Sequence, residues 1–268
     1  MTDSSSTDSG SPSARAAYGT RVRPVPAVTR AIAILRLLTQ TREPLSAKQV
    51  AQALHIVPST ALHILRALVA EDVITVDAAK RYRPGAGMLA LARGMLEHNS
   101  FRTVVQPALD QLSRTWQVTA IGVETPSLDQ MVVLALARSP LPFSLHVDVG
   151  SRFPGLISAT GRLVAAYSNE PWDAIAQRFR QLRWQHPIDI DTWRKELETV
   201  RAQGYSVDRG GYIGGITIVA VPIIDSTGRL THTIVCAGVS NTMDGAQADA
   251  LIADMQARAA EVASLLTH

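Results

Sequence analysis

The sequence is poor in cysteine and has no long apolar segment. Cys236 is the single cysteine among 268 residues, which excludes an intramolecular disulfide and a metal cluster built from cysteines. This thiol lies within an apolar run, so we expect it to be buried and inert. No apolar run reaches the ~18 residues that a membrane span needs, and the N-terminus lacks the basic-then-apolar order of a signal peptide. These absences predict a soluble cytoplasmic protein with no membrane partner.

Size and charge give the first positive indications. The length allows one large or two ordinary domains, and 46% of the residues are hydrophobic, enough to form a core. Residues 21–83 hold ten Lys and Arg against four Asp and Glu, whereas residues 84–268 hold fifteen against seventeen. The basic excess is therefore concentrated in one segment, as phosphate binding would require.

Residues 45–70, within that segment, have the pattern of two short helices joined by a tight turn. Ser46 is a suitable N-cap for the first helix, because its side-chain oxygen can accept a bond from a free amide of the first turn. Residues 55–57 form the turn, and Pro58 is tolerated at the start of the second helix. The pattern predicts a helix-turn-helix whose second helix can enter the major groove of DNA. An ordinary αα-hairpin has the same pattern.

The flanking segments favour DNA binding. Residues 28–39 form an amphipathic helix, the first of a three-helix core. Residues 73–76 and 81–83 are predicted to pair as a β-hairpin with a basic tip, around a turn at residues 77–80. A plain stabilising hairpin is the alternative for this last element alone. Three helices followed by a basic wing are much more specific than any one part.

Four regions follow from composition and periodicity. We predict a disordered tail at residues 1–23, a winged helix-turn-helix at 24–84, a linker helix at 85–99 and a larger domain at 100–268. The linker helix carries apolar residues between Met88 and Met95, which pack either on a second protomer or on their own domain.

The larger domain changes from helical to strand periodicity and back. Predicted helices cover residues 101–116, 156–167, 171–179, 190–203 and 243–266. Predicted strands cover residues 118–123, 131–137, 143–147, 205–208, 215–224 and 230–238. Pro107 is expected to be tolerated because it lies near the start of its helix, and Gly204 is expected to end another. The order predicts an α+β sensor-type domain, with a largely antiparallel sheet and a concave face able to hold a small molecule.

In series, these segments resemble the IclR family of bacterial transcription regulators. The resemblance spans about residues 25–266 and rests on VTRAIAILRLL, LSAKQVAQAL, PSTALHILRAL, RYRPGAGMLALA, VGSRFPGLISATGRLVAA, VRAQGYSVDRG and IVAVPIIDSTGRLTHTIVCAG. It implies an N-terminal winged helix-turn-helix, a linker helix and a C-terminal GAF-like effector-binding domain. It also implies a palindromic double-stranded DNA operator, a homodimer or homotetramer, and a small, often acidic or aromatic, effector.

The DNA-binding residues follow partly from the resemblance and partly from charge. Ser59 and Thr60 match the family at the start of the second helix, whereas Pro58 replaces its usual basic residue. His63 and Arg66 are the candidates for contacts with base edges, and basic residues elsewhere can position the protein on phosphates. The predicted DNA-binding residues are Arg30, Lys48, Ser59, Thr60, His63, Arg66, Lys80 and Arg81.

The effector pocket departs further from the family. The residues that the resemblance places in it are Ser158, Ala159, Thr160, Asp208, Ile218, Val235 and Ala237. Ile218 stands where a cysteine or similar residue is common, and Val235 and Ala237 stand where serines are common. The loss of donors predicts an aromatic or largely apolar effector, with Asp208 or Thr160 as its polar anchor, or no effector at all.

Several glycine, arginine, histidine and aspartate residues allow other interpretations of the second domain. Paired glycines at 210–211 and 214–215 suggest a loop near the pocket mouth, and Arg152 or Arg209 would favour an acidic ligand if either turned inward. His146 with Asp148, and His186 with Asp189 and Asp191, are scattered candidates for catalysis. They have no nucleophile motif and no metal-ligand spacing. We therefore predict no enzyme, catalytic residue, metal or cofactor, and retain an effector-independent regulator or interaction module as the alternative.

Overall fold

The structure is a computed structural model that describes residues 25–98, 100–141, 145 and 147–266. These residues belong to two compact units, Met1–Gly94 and Met95–His268. The predicted disordered tail lies outside the described residues, and so does most of the strand predicted at 143–147.

The first unit has the predicted helices and hairpin. Its elements are α1 Pro26–Gln40, β1 Leu45–Ser46, α2 Ala47–Ala53, α3 Pro58–Ala70, β2 Ile74–Val76 and β3 Arg81–Pro84, followed by α4 Gly87–His98, within which the division between the units falls. The strands form an antiparallel sheet in the order β1-β3-β2. Sequence patterns do not predict β1, because two residues are too few to show a period.

The core of this unit comes from one side of each element. Apolar residues recur at helical spacing in α1 and α3, so that each helix buries a single stripe. The buried residues that share this core are Ile34, Leu38, Val50, Leu65, Ile74 and Tyr82. The opposite faces of the helices are left to solvent.

The second unit is built around a six-stranded sheet. Its elements are α5 Ser100–Trp116, β4 Thr119–Glu124, β5 Gln130–Ala137, β6 Arg152–Pro154, α6 Ser158–Ala166, α7 Trp172–Phe179, α8 Ile190–Gln203, β7 Ser206–Arg209, β8 Ile216–Ile224, β9 Leu230–Val239 and α9 Gly245–Leu266. The strand order is β6-β5-β4-β9-β8-β7, and every pair is antiparallel, as predicted. The three-residue β6 was not predicted.

Side chains of the sheet alternate between two cores. Ile234 and Cys236 of β9 pack with helices α5 and α9, whereas Val235 and Ala237 pack with α6 and α8 on the opposite face. Successive residues of a strand point to opposite faces, so a strand covered on both sides is apolar throughout. The sheet is therefore the middle layer of three.

The location predicted for Pro107 was wrong. It is the eighth residue of the 17-residue α5, well inside the helix. A proline there cannot donate to the carbonyl four residues earlier, that of Thr103. Both Thr103 and Pro107 are exposed, so water can satisfy this carbonyl.

Two local predictions are confirmed. Gly204 ends α8 in the left-handed conformation, with φ 70°, and its N–H donates to the carbonyl of Val200 at 3.0 Å. Cys236 is fully buried. Burial raises the pKa of its thiol, with a smaller contribution from Asp254, so little thiolate forms at neutral pH.

Within the described ranges, no single helix is long and apolar enough to cross a membrane. The pair α2 and α3 meets the length and composition test together, but the two helices are bent by 116° at their junction.

A histidine is packed under the start of α5. The ring of His232 on β9 stacks on Phe101, with ring centroids 4.0 Å apart and planes at 21°. Its Nδ1 lies 3.0 Å from the hydroxyl oxygen of Thr231. Burial lowers the pKa of His232 from 6.5 to about 4, so the ring is neutral at physiological pH.

We expect this neutral ring to make the second unit less stable in acid. The pKa of His232 in the folded chain, about 4, is below its value of 6.5 in the unfolded chain, so the unfolded chain binds the extra proton between these values. The contribution of the neutral ring to the free energy of unfolding is fully present above pH 6.5. It is lost as pH falls toward 4, by about 3 kcal/mol in total.

The measurement is the free energy of unfolding from hydrogen exchange of the β9 amides across this pH range. His232→Phe keeps an aromatic ring on Phe101 and removes the titration, so its profile should be flatter. His186→Gln, at an exposed histidine, is the control. Equal pH slopes for His232→Phe and the unmodified protein would contradict the assignment.

Candidate functional site

The helix-turn-helix begins with a capping box. The N–H of Gln49 donates to the hydroxyl oxygen of Ser46 at 3.3 Å, and the N–H of Ser46 donates to the side-chain oxygen of Gln49 at 2.8 Å. Each residue thus satisfies a backbone donor of the other, which fixes the start of α2. The predicted N-cap role of Ser46 is confirmed.

The turn between α2 and α3 depends on a left-handed residue. His55 has φ 52°, a region that histidine enters more readily than most non-glycine residues. The N–H of Ile56 donates to the carbonyl of Ala51 at 3.0 Å, and that of His55 donates to Gln52 at 3.3 Å. These two bonds form a Schellman motif, which ends α2 and redirects the chain into α3.

One face of α3 is free to contact a partner. Ser59, His63 and Arg66 are all exposed, and their spacing of four and three residues places them on one face. Ala61 and Leu65 lie on the opposite face and are fully buried. Thr60, which lies beside the exposed face, is half-buried.

The wing is held by an ion pair across its turn. The N–H of Arg81 donates to a carboxylate oxygen of Asp77 at 2.8 Å, and the guanidinium Nε donates to the other oxygen at 3.0 Å. The backbone bond from Arg81, followed by its side chain, lowers the pKa of Asp77. Arg81 is thus already engaged, whereas Lys80, at φ 57°, is exposed at the tip.

The remaining predicted DNA contacts, Arg30 on α1 and Lys48 on α2, are also exposed. All eight predicted residues therefore lie in the first unit. Seven of them are accessible to a partner, and Thr60 is partly accessible.

A cavity of about 260 Å³ lies in the second unit, against the face of the sheet that α6 covers. Among the residues that the structure describes, twelve apolar and three hydroxyl-bearing ones line it, and none of these fifteen is charged. The lining residues are Ile121, Val123, Met131, Val133, Leu145, Val147, Phe153, Ile157, Ser158, Thr160, Tyr212, Ile213, Ile218, Val235 and Ala237. Such a hollow excludes unpaired charge and favours an apolar occupant.

Five of the seven predicted pocket residues line this cavity: Ser158, Thr160, Ile218, Val235 and Ala237. Ala159 is fully buried but is not part of the lining. The three apolar positions alternate onto the cavity face of β8 and β9, with Ile218 directly opposite Ala237.

The placement of Asp208 in the lining was wrong. Its side chain is 2% exposed, and its two carboxylate oxygens accept bonds from the N–H of Gly211 at 2.8 Å and of Tyr212 at 3.2 Å. Asp208 holds the glycine loop, and that loop contributes Tyr212 and Ile213 to the cavity instead. Burial raises the pKa of the Tyr212 phenol, which keeps it a hydrogen-bond donor.

Ser158 is the most unusual residue of the lining. It opens α6 at φ 60°, is 6% exposed, and its hydroxyl has no hydrogen-bond partner among the described residues. A strained backbone and an unsatisfied buried hydroxyl each cost stability, and such features concentrate at ligand-binding sites. Thr160 lies in the same first turn of α6. This turn is the polar end of an otherwise apolar cavity.

Sequence reasoning missed the wall on the other side of the cavity. Met131 and Val133 come from β5, and Phe153 comes from β6. The alternation of side chains along β5 was the signal in the sequence for Met131 and Val133. It does not indicate which face of a sheet covered on both sides holds the cavity.

The comparison with known families decides between the readings. The family model described as "Bacterial transcriptional regulator IclR C-terminal" matches residues 93–264, and the "IclR helix-turn-helix domain" matches residues 27–78. The chain belongs to the IclR family. The predicted fold class, with an N-terminal helix-turn-helix domain and a C-terminal effector-binding domain, is confirmed.

The proteins similar to this IclR-family chain are regulators, and the similarity extends over most of each chain. It is 27% identical to a glycerol operon regulatory protein of Streptomyces griseus, across 90% of this chain and 96% of that one. It is 24% identical to the transcriptional repressor AllR of Escherichia coli, across 81% of each. A solved IclR regulator of Alicyclobacillus acidocaldarius has the same fold, with a TM-score of 0.77 and 24% identity, across 91% of this chain and 100% of that one.

Two of the residues considered for catalysis, His186 and Asp189, have structural roles in this IclR-family protein. His186 Nδ1 lies 2.8 Å from the carbonyl of Gly210, and Asp189 caps α8 by accepting bonds from Thr192 and Asp191. The bond from Thr192 is the largest cause that lowers the pKa of Asp189. His146 lies outside the described residues, and within them no group of His, Cys, Asp and Glu could hold a metal ion. Members of this family regulate transcription.

Proposed function

We propose that this regulator binds a palindromic double-stranded operator as a homodimer or homotetramer and responds to an aromatic or largely apolar effector. The observation that carries the effector class is the cavity, whose described lining holds no charged residue and has two of its three hydroxyl-bearing residues at the start of α6. We assign DNA binding to residues 24–84, the link to 85–99 and effector binding to 100–268. We place the protein in the bacterial cytoplasm, where the operator is.

Contact with base edges is assigned to the exposed face of α3. Ser59, His63 and Arg66 occupy successive turns of this face, so they can follow one major groove. Arg66 can donate two bonds to one guanine, the most common specific contact in this groove. Pro58 leaves the first turn without a basic side chain, so we expect specificity to depend on Arg66 and His63.

Phosphate contacts are assigned to the basic residues around this face. Lys48 and Lys80 are exposed, and Arg30 is exposed on α1. Arg81 is also assigned, although its bond to Asp77 competes with a phosphate. These contacts orient the protein and carry no sequence information.

The size of the cavity limits the effector to a small molecule. An apolar cavity of about 150 Å³ suffices for benzene. The space of about 260 Å³ therefore fits one substituted ring or a short aliphatic chain. An IclR homologue of Microbacterium hydrocarbonoxydans, which has this fold at a TM-score of 0.76 and 16% identity, was crystallised in complex with 4-hydroxybenzoate, a single-ring acid. That complex supports the proposed size and class.

The polar end of the cavity accepts one polar group. The first amides of a helix have no intrahelical partner, and the hydroxyls of Ser158 and Thr160 adjoin them at the start of α6. One carboxylate or hydroxyl of a ligand can bind there. A second carboxylate would lie among apolar residues and lose its hydration without matching donors. Arg152 and Arg209 do not offer such donors, because both are exposed and neither lines the cavity.

Several relatives are repressors or operon regulators, including AllR of Escherichia coli. We therefore propose repression as the output, relieved or strengthened when the effector binds. The buried hydroxyl of Ser158 has no partner among the described residues, and a bound ligand would supply one. This hydroxyl therefore disfavours an effector-independent regulator.

Substitutions on α3 and on the wing should weaken DNA binding in different ways. Arg66→Ala should cost about 1–3 kcal/mol on the specific operator and relax preference at one base. Lys80→Ala and Arg81→Ala should weaken binding to specific and random DNA alike. Each lost phosphate contact should reduce the slope of log affinity against log salt concentration by about 0.9. Arg81→Ala should have the smaller effect, because its guanidinium is shared with Asp77.

The measurement is a salt series of binding to an operator selected from genomic fragments and to random DNA. Ala67→Ser, an exposed change beside the same face, is the control. A wing variant that changed preference at a single base would show that the wing contacts bases, contrary to this assignment.

The linker helix should carry the dimer contact. Leu91 of α4 is 69% exposed and lies on the same face as Met88, at a spacing of three residues. An exposed apolar face of this kind is stabilised by a second copy. Leu91→Glu should shift the dimer toward monomer in sedimentation equilibrium, whereas Ala90→Glu, on the opposite face, should not. A monomeric unmodified protein at micromolar concentration would refute the proposal.

Ligand panels should separate the effector classes. At about 100 times its Kd, a ligand stabilises the folded protein by about 2.7 kcal/mol, which a thermal shift detects. Single-ring monocarboxylates and phenols should stabilise the protein, and small dicarboxylates such as succinate should not. Ser158→Ala should weaken the best ligand, because it removes the unsatisfied hydroxyl.

Two variants control this experiment. Ser158→Gly also removes the hydroxyl but relieves the positive φ, so it should weaken the ligand without loss of stability. Val235→Ser with Ala237→Ser adds donors and should improve acid binding. Tight binding of succinate by the unmodified protein would falsify the apolar assignment, and no response to any class would favour an effector-free regulator.

A further inference from the structure

A second hollow lies at the edge of the sheet, separate from the effector cavity. It measures about 320 Å³ and is bounded by α6, α8, β7 and α9. Its lining residues are Arg162, Glu196, Thr199, Val200, Gln203, Tyr205, Ser206, Val207, Arg209, Asp249 and Ile252. The described linings of the two hollows have no residue in common, and they differ in character, because the lining of this one is mostly polar.

The floor of this edge pocket is a buried guanidinium with unused donors. The side chain of Arg162 is 7% exposed. Its Nε donates to Glu196 at 2.7 Å, and its Nη1 donates to the carbonyl of Ser158 at 3.2 Å. A guanidinium has five N–H donors, and Nη2 has no bond among the described residues. Arg162 lines the edge pocket, and its guanidinium also lies over the ring of Trp184, with Cζ 5.9 Å from the ring centroid.

A buried hydroxyl in the same wall is also without a partner. Ser206 is 0% exposed, and its Oγ has no hydrogen bond among the described residues. Thr199, Gln203 and Tyr205 add further polar groups around it. A buried unsatisfied group needs an explanation, and a polar ligand is one.

The charges around the edge pocket are balanced but not all paired. Arg162 and Glu196 form an ion pair. Arg209 and Asp249 are exposed at the rim, and in the described part of the chain neither is in an ion pair. One unpaired positive and one unpaired negative group therefore remain, together with the free Nη2 of Arg162.

This balance decides among ligand classes. A phosphate would bring negative charge beside both Glu196 and Asp249, and a simple amine would leave the Arg162 donors unused. A zwitterion matches both signs at once. Its carboxylate can bind the end of the Arg162 guanidinium and Arg209, and its ammonium can bind Asp249 and Glu196.

We propose that the edge pocket is a second ligand site, which binds a free α-amino acid through the carboxylate to Arg162 and Arg209 and through the ammonium to Asp249. The site is independent of the effector cavity, and binding to it does not require the proposed effector.

The test is a thermal-shift panel of the twenty standard L-amino acids on the full-length protein, followed by calorimetry of the best binder. The matching α-hydroxy acid and the matching amine should each bind at least about tenfold more weakly, because each lacks one charged group. Arg209→Gln and Asp249→Asn should each weaken the amino acid by about tenfold or more. Both residues are exposed, so both variants should fold.

Controls distinguish this site from the cavity. Arg180→Gln, at an exposed arginine outside both hollows, should leave amino-acid binding unchanged. Leu145→Ala, at a residue that lines only the cavity, should also leave amino-acid binding unchanged. The proposal is overturned if no amino acid binds at about 10 mM, a far weaker affinity than the micromolar range of specific ligands. It is also overturned if binding survives both rim variants, or if Leu145→Ala alone abolishes it.

Discussion

The alternation of side chains along β8 and β9 is the constraint on which the second unit depends. Both strands have a neighbour on each side in the sheet and are covered on both faces, so seven of the nine residues of β8 and five of the ten of β9 are buried. A shift of one residue in register would exchange the two faces. Such a shift of β9 would bring Cys236 into the cavity wall in place of Val235 or Ala237. The same shift of β8 would turn Ile218 away from the cavity and into the other core. The character of the cavity thus depends on strand register as much as on residue type.

The start of α6 is a second constraint, and it links the two hollows. A Cβ on Gly161 would overlap the backbone of Leu156, so the chain enters the helix through a turn that only glycine permits. This tight entry holds Ser158 at positive φ, and Ser158 is part of the cavity lining. Its carbonyl binds Arg162, which forms the floor of the edge pocket. One turn of helix therefore contributes to an apolar site and to a polar one.

The sequence was most informative where a local pattern determines a local structure. Ser46, Pro58 and Gly204 each act at a helix end through their own backbone or nearest neighbours, and each was predicted correctly. Periodicity also separated helices from strands, because buried stripes differ in period. Asp208 was misplaced because its partners belong to a loop whose path depends on tertiary structure.

Other features lie beyond the reach of a single sequence. The two-residue β1 and three-residue β6 are too short to show a period, and they exist because neighbouring strands supply their hydrogen bonds. The ion pair between Arg162 and Glu196 joins residues 34 positions apart on different helices. Nothing in the spacing of these two residues indicates that they meet. The edge pocket that they form could be found only from the structure.

All four tryptophans of the chain lie in the second unit. Three of the four tryptophans, Trp172, Trp184 and Trp193, pack on the cavity side of the sheet. Trp193 is fully buried, with its ring centroid 4.6 Å from that of Phe179, which in turn lies 5.9 Å from Trp184. Trp184 borders the loop that carries Tyr212, since a Cβ on Gly211 would lie 3.8 Å from its ring. The fourth, Trp116, donates to Asp254 at 2.8 Å on the opposite face. These three tryptophans therefore share a core with residues that line the cavity, so we expect a ligand in the cavity to change the intrinsic fluorescence without an attached dye.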